Sequence, residues 1–275
     1  MPEIGPKHQP VLCRRDADGV AVVTIDRPER RNALNLEVKS RIAEVVSELV
    51  ADDTVRVIVL TGSGDYFVAG TDIAEMATMT PAQHVTLGTD HVFNVMRRCP
   101  KPLIAALEGY ALGGGCELAL TCDMIIAGRS TKLGQPEIRV GIMPGAGGTQ
   151  HLLRTIGKYR ASKMVLTGEP VAAPDALAMG LLSEMVEDGR ALSRALGRVE
   201  DWRAGVGRSL CSLLSRPFVC ECHTISTIPR FQPPPRRTQR ADFLALRSLV
   251  CFTSRLMGPI LSERLSTSVA EPGSR

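Results

Sequence analysis

Two acidic residues stand beside glycine-rich turns, and their type and spacing could support acid–base chemistry. The stretch "YALGGGCELALTCD", Tyr110 to Asp123, places three consecutive glycines two residues ahead of Glu117. Further along, "KLGQPEIRVGIMPGAGGTQ" carries Glu137 in a predicted loop flanked by Gly and Pro. A positioned pair of carboxylates can deprotonate one reacting group and protonate another. Glu117 and Glu137 are therefore candidate catalytic residues.

The three glycines predict a turn whose bare backbone contacts a ligand. Glycine costs roughly 0.5 to 1 kcal/mol per position inside a regular element, so three in succession indicate that side chains are unwanted there. A strand that enters "GGG" and continues as a helix exposes N–H groups at the positive end of the helix dipole. Such a turn can bind an oxyanion. It can also bind a phosphate or simply allow tight packing, although neither a Walker loop nor a GxGxxG pattern is present.

Each acidic residue also has a purely structural interpretation. Glu117 would be a favourable charge in the first turn of a helix, and Glu137 would be a solvated loop residue beside a proline. Cys116 precedes Glu117 directly, but no histidine stands nearby at triad-like spacing. We therefore predict no cysteine nucleophile.

The elements that must position these residues alternate between strand and helix. The runs "PVLCRR" and "GVAVVTIDRP" predict a hairpin, "NLEVKSRIAEVVSELVADD" a helix with Asn35 as its N-cap, and "VRVIVLTGS" a buried strand. We then expect one helix over "PAQHVTLGTDHVFNVMRRC", one strand over "PLIAALEGYAL", a helix over "CELALTC" and a strand over "MIIAG". Short helices follow at "GTQHLLRTIG", "YRASKMVLTG" and "PDALAMGL". This order predicts an α/β fold.

Composition indicates a soluble globular protein, with 44% hydrophobic and 23% charged residues among 275. The first ten residues contain no apolar run, which argues against a signal or transit peptide, and Arg247, Arg255 and Pro259 interrupt the longest late apolar run. Eight dispersed cysteines favour reduced thiols, and "CECH" lacks a second ligand pair for a metal. We expect a cytoplasmic protein with no metal and no membrane or nucleic-acid partner.

Several motifs in a fixed order make the sequence resemble the crotonase family, whose best-known member is enoyl-CoA hydratase. They are "AGTDI", "KPLIAALEGYALGGGCELALTCD", "LGQPEIRVGIMPGAGGTQHLLRTIG" and "VLTGEPVAAPDALAMGLLSEMVE". The resemblance covers about residues 10 to 188, and we treat residues 1–190 as a crotonase-like catalytic core. It implies a spiral of β-β-α units and an acyl-CoA thioester as the substrate.

The resemblance also implies individual binding residues. By position, the two oxyanion N–H groups belong to Thr71 of "AGTDI" and to Gly114, the middle glycine. Further substrate-binding candidates are Ala69, Asp72 and Ile73 of the same motif and, as possible contacts of the CoA phosphates, Arg27, Arg30 and Arg31. For the three arginines, a solvated surface position is the alternative.

In that family, the two carboxylates would hydrate a 2-enoyl-CoA to a 3-hydroxyacyl-CoA. Glu117 would activate the water, and Glu137 would deliver a proton to the α-carbon. Coenzyme A enters as part of the substrate, so we expect no separate cofactor. An isomerase of the same family would need one base only, and a catalytically impaired acyl-CoA-binding protein is a third possibility. Retention of both carboxylates favours the hydro-lyase, with the acyl pathway, such as fatty-acid or aromatic breakdown, left open.

The last part of the chain differs from the rest in amino-acid composition and in periodicity. Residues 190–275 contain 14 arginines, no lysine and six acidic residues, so they account for the net charge of +4. The stretch "RPFVCECHTISTIPRFQPPPRRTQR" has neither a helical nor a strand period. We interpret residues 191–275 as an atypical segment in place of the helices that complete the family homotrimer or hexamer. A reading-frame shift near residues 195–205 would explain it, and a divergent tail is the alternative; both would weaken the assembly.

Overall fold

The computed structural model describes residues 9–16 and 18–205. Its strands are β1 (Val11–Arg15), β2 (Val20–Ile25), β3 (Val57–Gly62), β4 (Leu103–Leu107), β5 (Tyr110–Leu112), β6 (Met124–Gly128), β7 (Lys132–Gly134), β8 (Val171–Ala172) and β9 (Glu184–Val186). Its α-helices are α1 (Leu36–Ala51), α2 (Ile73–Met76), α3 (Pro81–Thr86), α4 (His91–Arg97), α5 (Gly114–Ala119), α6 (Gly148–Ile156), α7 (Lys158–Thr167), α8 (Ala173–Ala178) and α9 (Ala191–Gly205). Two 3-10 helices cover Pro28–Arg30 and Pro136–Val140. The α/β prediction is confirmed.

The strands form two sheets. The larger sheet has the order β1-β2-β3-β4-β6-β9, in which β1 and β2 are antiparallel and every other pair is parallel. The predicted hairpin is therefore confirmed, with Val11 opposite Ile25. The smaller sheet has the order β5-β7-β8 and combines one parallel with one antiparallel pair.

Both faces of the larger sheet are buried. In β3, Ile58 and Leu60 pack into the same apolar cluster as α1, whereas Val57 and Val59 pack with α9 on the other face. Because successive side chains of a strand point to opposite faces, a strand covered on both sides needs an uninterrupted apolar run. This requirement explains the uninterrupted apolar run "VIVL" at the start of β3.

The predicted first helix and its cap are confirmed. The Asn35 side chain accepts a hydrogen bond from the Val38 N–H at 2.9 Å, which satisfies one of the free donors at the start of α1. The apolar stripe of α1 is fully buried: it consists of Val38, Ile42, Ala43, Val45, Val46 and Leu49. This packing fixes the first turn of α1 next to the segment that carries Thr71.

Two predicted elements are each divided in two by a glycine. The single helix expected over residues 81–99 is wrong, because Gly88 adopts a positive φ of 58° between α3 and α4. The single strand expected over residues 102–112 is also wrong: Gly109, with φ 63°, separates β4 from β5. A Cβ at Gly109 would lie 1.7 Å from the carbonyl oxygen of Asp65, so a side chain is excluded there. This turn takes the chain from the larger sheet to the smaller one, immediately before the three glycines.

Helix α9 is the first part of the segment that we separated from the core. Its residues Ala191, Ala195 and Val199 are buried against the larger sheet. Residues 206–275, with the "CECH" and "PPP" stretches, lie outside the described residues, and so does most of the segment assigned to a possible frame shift. None of the described helices combines the length and the apolar character needed to cross a bilayer.

Candidate active site

The three glycines form the junction between β5 and α5. Gly113 is the N-cap residue of α5, with φ 50° and ψ −123°, a conformation that side chains rarely adopt. A Cβ at Gly115 would lie 2.3 Å from the carbonyl oxygen of Val68, so the helix start packs directly against the neighbouring backbone. The glycines therefore allow a close approach of two backbone segments, and they leave the N-terminus of α5 bare.

The backbone N–H groups of Thr71 and Gly114 lie side by side. A Cβ at Gly114 would be 3.6 Å from the Thr71 nitrogen and 2.9 Å from its Oγ1. The Leu34 N–H donates to Gly70 O at 2.8 Å, and the Asp72 N–H donates to Leu34 O at 3.0 Å. Because this bridge uses the residues on either side of Thr71, the Thr71 N–H points away from Leu34. Among the described residues, no acceptor is bonded to either the Thr71 or the Gly114 N–H, so both donors are available to a ligand, and their binding of one oxyanion stays a prediction.

These two N–H groups face a cleft of about 430 Å³. Both predicted catalytic residues, Glu117 and Glu137, line this cleft, as do Ala69 and Ile73. Its walls also include Lys39, Met76, His84, Asp90, Phe93, Val140, Ile142, Met143 and Ala146. The structure thus brings residues from positions 39 to 146 of the sequence to one mainly apolar space with two carboxylates.

Glu117 is fixed in the first turn of α5 and is only 3% exposed. One of its oxygens, Oε1, accepts hydrogen bonds from the N–H groups of Ala146 and Gly148, both at 2.8 Å. Burial raises the pKa of Glu117, and the two N–H donors oppose this rise, with smaller contributions from Arg97 and Lys39. Its other oxygen, Oε2, accepts no hydrogen bond from the described residues, so it is available to a water molecule.

Arg97 holds the loop that grips Glu117. Its Nη1 donates to the carbonyl oxygen of Ala146 at 2.8 Å, and its Nη2 donates to Asn94 Oδ1 at 2.6 Å. The Ala146 peptide unit thus connects Arg97 at the end of α4 with the carboxylate of Glu117. Sequence reasoning did not identify Arg97, because a single arginine at the end of a helix is an ordinary capping charge.

Glu137 occupies the first turn of the 3-10 helix Pro136–Val140. Its carboxyl group lies next to the glycine turn, since a Cβ at Gly113 would be 3.2 Å from Glu137 Oε1. Burial raises the pKa of Glu137 to about 7, and the charge of Glu117 adds to the rise. At neutral pH a large fraction of Glu137 is therefore protonated, as a proton donor requires.

Gln135 is a fully buried residue of the site that sequence reasoning missed. With its amide in the orientation that its neighbours favour, the nitrogen donates to Glu137 Oε1 at 2.9 Å and to Oε2 at 3.1 Å. A Cβ at Gly148 would meet this amide at 2.6 Å, so Gln135 also packs against the loop that binds Glu117. The only sequence signal for Gln135 was its place in "QPE".

Cys116 is buried next to Gln135. Burial raises the pKa of its thiol to about 12, so the thiolate that a cysteine nucleophile requires is not formed at neutral pH.

Two of the predicted binding residues have other roles in the structure. The Asp72 side chain caps α2 by accepting from the N–H groups of Ala74 and Glu75, at 3.2 and 3.4 Å. Arg27 Nη1 donates to Asp72 Oδ2 at 2.9 Å and to Ala33 O at 3.2 Å. The two side chains therefore pair with each other, and their predicted contacts with the substrate stay predictions.

The other two arginines differ in their surroundings. Arg30 is exposed at the end of the 3-10 helix Pro28–Arg30. Arg31 is also exposed, and its guanidinium lies 5.7 Å from the centre of the Tyr66 ring. Neither lines the described cleft. A contact between these residues and CoA phosphates stays a prediction.

The family model for enoyl-CoA hydratase/isomerase matches residues 15–214. The chain belongs to this family. The match extends beyond residue 188, where the motif resemblance ended, and includes the whole of α9.

Curated relatives and solved structures agree with this membership. The chain is 42% identical over 179 residues to a probable enoyl-CoA hydratase of Mycobacterium bovis, which covers 65% of this chain and 69% of the relative. It is 44% identical over 177 residues to the 2,3-dehydroadipyl-CoA hydratase of Escherichia coli, covering 64% and 69%. An enoyl-CoA hydratase structure from Bacillus anthracis superposes with a TM-score of 0.71 at 32% identity, covering 75% of this chain and 81% of that one. The crotonase-like fold is confirmed.

Proposed function

We propose that the protein is an enoyl-CoA hydratase, which adds water reversibly to a 2-enoyl-CoA thioester to form 3-hydroxyacyl-CoA. One observation carries the proposal: two carboxylates with different environments line one cleft beside a pair of free N–H donors. Glu117 is held by two backbone donors, whereas the pKa of Glu137 is raised to about 7. A hydration needs such a division, because one group must accept a proton while the other donates one.

In this mechanism Glu117 activates the water. Two N–H groups bind its Oε1, and Oε2 takes a proton from the bound water. The hydroxide oxygen forms a bond with the β-carbon. The electron pair of the carbon–carbon double bond moves to the α-carbon and on to the thioester oxygen, which becomes an enolate.

The N–H groups of Thr71 and Gly114 then stabilise the enolate oxygen. Two donors preorganised for a developing charge can lower a barrier by several kcal/mol. Glu137 transfers its proton to the α-carbon, which completes the addition of water. Glu117 is left protonated and Glu137 ionised, and a proton passed between them through water restores the starting state.

The main alternative within the family is an isomerase that moves the double bond. Such an enzyme needs one base and no activated water, so it gives no reason to fix a second carboxylate with two backbone donors. The two N–H bonds to Glu117 therefore favour hydration. Relatives named 2,3-dehydroadipyl-CoA, short-chain-enoyl-CoA and crotonyl-CoA hydratase also support hydration. Their names describe different acyl groups, so the preferred acyl group must be inferred from this cleft.

The decisive test incubates the purified protein with crotonyl-CoA in water enriched in oxygen-18. We expect loss of the enone absorbance, with one labelled oxygen on the β-carbon of the product. A parallel reaction with 3-hexenoyl-CoA detects isomerisation. Formation of 2-hexenoyl-CoA without hydration of either thioester would establish the isomerase instead, and the binding of both thioesters without turnover would indicate an impaired acyl-CoA-binding protein.

Other features of the proposal remain predictions. Coenzyme A acts as part of the substrate, and the reaction as written uses no metal or separate cofactor. A cytoplasmic location and a weakened homotrimer or hexamer are still expected from the sequence.

A further inference from the structure

Lys39 places an ammonium group in the wall of the cleft. It lies in the first turn of α1 and is partly buried, and the residues that line the cleft with it include the apolar Ile73 and Phe93. The mechanism proposed above does not use it. Burial lowers the pKa of Lys39, because the charged form has lost part of its hydration.

Within the described residues, Lys39 has no ion-pair partner at 4 Å or less. Glu75, Glu117 and Asp90 act on it electrostatically from greater distances. Each of these acids is already hydrogen-bonded to another group. Glu75 Oε2 accepts from the Leu36 N–H at 2.8 Å, Asp90 Oδ2 accepts from the Asn94 amide at 3.0 Å, and Glu117 accepts two N–H bonds.

The other nearby cations are placed differently. Arg97 is engaged with Ala146 O and Asn94 Oδ1, and Arg139 is exposed on the 3-10 helix that carries Glu137. Lys39 is therefore the cation of the described cleft that combines partial burial with a free ammonium group. A partly desolvated charge is stable only when an opposite charge or hydrogen-bond acceptors surround it.

The position of Lys39 relative to the reacting atoms indicates which negatively charged group of the substrate pairs with its ammonium. If the thioester oxygen lies at Thr71 and Gly114, the β-carbon lies at Glu117, and the acyl chain continues past that carboxylate. Lys39 and Glu117 line the same cleft, so an acyl chain that continues past Glu117 runs through the space that Lys39 borders. An alkyl chain that ended there would leave the ammonium unpaired.

We propose that Lys39 forms a subsite for a carboxylate at the far end of the acyl group, so that the preferred substrate is the CoA monothioester of an unsaturated dicarboxylic acid. The proposal rests on the hydratase function proposed above and specifies its substrate class. Asp90 and Glu117 line the same cleft and Glu75 also acts on Lys39, so these acids disfavour an anion elsewhere in the cleft. The subsite is consequently limited to an acyl chain of the length that brings its carboxylate to Lys39.

The test compares matched pairs of 2-enoyl-CoA thioesters with four, six or eight acyl carbons that end either in a methyl group or in a carboxylate. At one chain length we expect the wild type to show a higher kcat/KM for the carboxylate form. In Lys39→Met, which keeps the length of the side chain, that value should fall about 100-fold, the size expected when one member of a partly buried charge pair is removed. The methyl-ended thioesters should change less than threefold.

Lys163→Met serves as the control, because Lys163 lies on α7 and its side chain is 73% exposed. It should leave both substrate series unchanged. Saturated adipyl-CoA and hexanoyl-CoA provide a binding measurement that is independent of turnover: Lys39→Met should raise the inhibition constant of adipyl-CoA alone. Equal losses for both series in Lys39→Met would make Lys39 a countercharge for Glu117 and overturn the subsite. A wild type that prefers the methyl form at every length would also overturn it, whereas failure to hydrate any thioester would overturn the proposed function itself.

Discussion

Glu117 and Glu137 face the same cleft from two walls of different construction. The Glu117 wall consists of α5 and the loop at residues 145–148, where two N–H groups bind one carboxylate oxygen and Arg97 holds the loop from behind. The Glu137 wall is a 3-10 helix of five residues, in which the neighbouring donor is the amide of Gln135. The Glu117 wall supplies two backbone donors and the charge of Arg97, and the Glu137 wall supplies fewer donors and faces the negative charge of Glu117.

This difference shows how one fold can give two identical side chains opposite roles. Burial raises the pKa of both carboxyl groups, and a backbone N–H opposes the rise at each. Glu117 has two such donors and the nearby positive charges of Arg97 and Lys39, whereas the negative charge of Glu117 adds to the rise at Glu137. We infer that donor placement, and not burial alone, decides which acid serves as base. Variants that remove one wall's contribution at a time test this inference.

The largest effects should come from removal of the carboxylates. Glu117→Gln should lower kcat about 10³- to 10⁴-fold, because the amide cannot accept the proton of water. Glu137→Gln should lower kcat about 10²- to 10³-fold, because water can still protonate the enolate slowly. Steady-state hydration of crotonyl-CoA measures both values.

The two variants should also differ in pH dependence. The wild type should lose kcat/KM as the pH rises through about 7, where Glu137 loses its proton, and this alkaline limb should be absent in Glu137→Gln. Butyryl-CoA binding serves as a control and should change little in either variant. Equal rates in the wild type and in Glu117→Gln, or an alkaline limb that persists in Glu137→Gln, would contradict the division of roles.

A smaller effect is expected from Arg97, which acts on Glu117 through the loop. Arg97→Met should lower kcat roughly 10- to 100-fold, since the donors of Glu117 lose their fixed position. The positive charge of Arg97 lowers the pKa of Glu117, so its removal should shift the acid limb of kcat/KM to higher pH. A pH–rate profile from pH 4 to 9 measures both changes.

Two further variants distinguish the loss of the Arg97 charge from a general loss of protein stability. Arg97→Lys keeps the charge but not the paired geometry, so it should retain the wild-type acid limb and lose part of kcat. Arg98→Met removes the exposed neighbouring arginine and should match the wild type. If Arg97→Met lowered only the melting temperature and left the profile in place, Arg97 would have a structural role alone.

The smallest effect concerns stability and the Glu137 wall. Because the folded protein raises the pKa of Glu137 from 4.5 to about 7, it retains a proton between these pH values that the unfolded chain has lost. The contribution of Glu137 to the free energy of unfolding is therefore fully present below pH 4.5. It declines as the pH rises to about 7 and is absent above that pH. Glu137→Gln should match the wild type near pH 4.5 and be more stable by about 1 to 2 kcal/mol above pH 7, a value reduced for partial exposure.

Urea unfolding at pH 4.5, 6 and 8 gives this difference directly. Glu169→Gln is a suitable control, because Glu169 has an exposed side chain on the surface. An advantage of Glu137→Gln that did not change with pH would mean that packing, and not the proton, is responsible.

Local sequence patterns predicted the elements that depend on local interactions. The hairpin, β3 and α1 with its Asn35 cap follow from apolar periodicity and one side-chain acceptor, and all three are confirmed. The divisions at Gly88 and Gly109 were missed, because a glycine within an apolar or helical run is compatible with both continuation and a turn. The carbonyl oxygen of Asp65, which excludes a side chain at Gly109, belongs to a residue distant in the sequence.

The sequence by itself determined the α/β class, the family and the two candidate carboxylates, since these depend on composition, periodicity and ordered motifs. Only the tertiary structure decided that Arg27 pairs with Asp72, that Arg97 supports the loop around Glu117, and that Lys39 has a free ammonium group in the cleft. The physical reason is that the energy of a charge depends on burial and on its partners in space. Asp72 is 45 residues from Arg27, and the acids that act on Lys39 are 36 to 78 residues from it, separations over which no local pattern can predict an interaction.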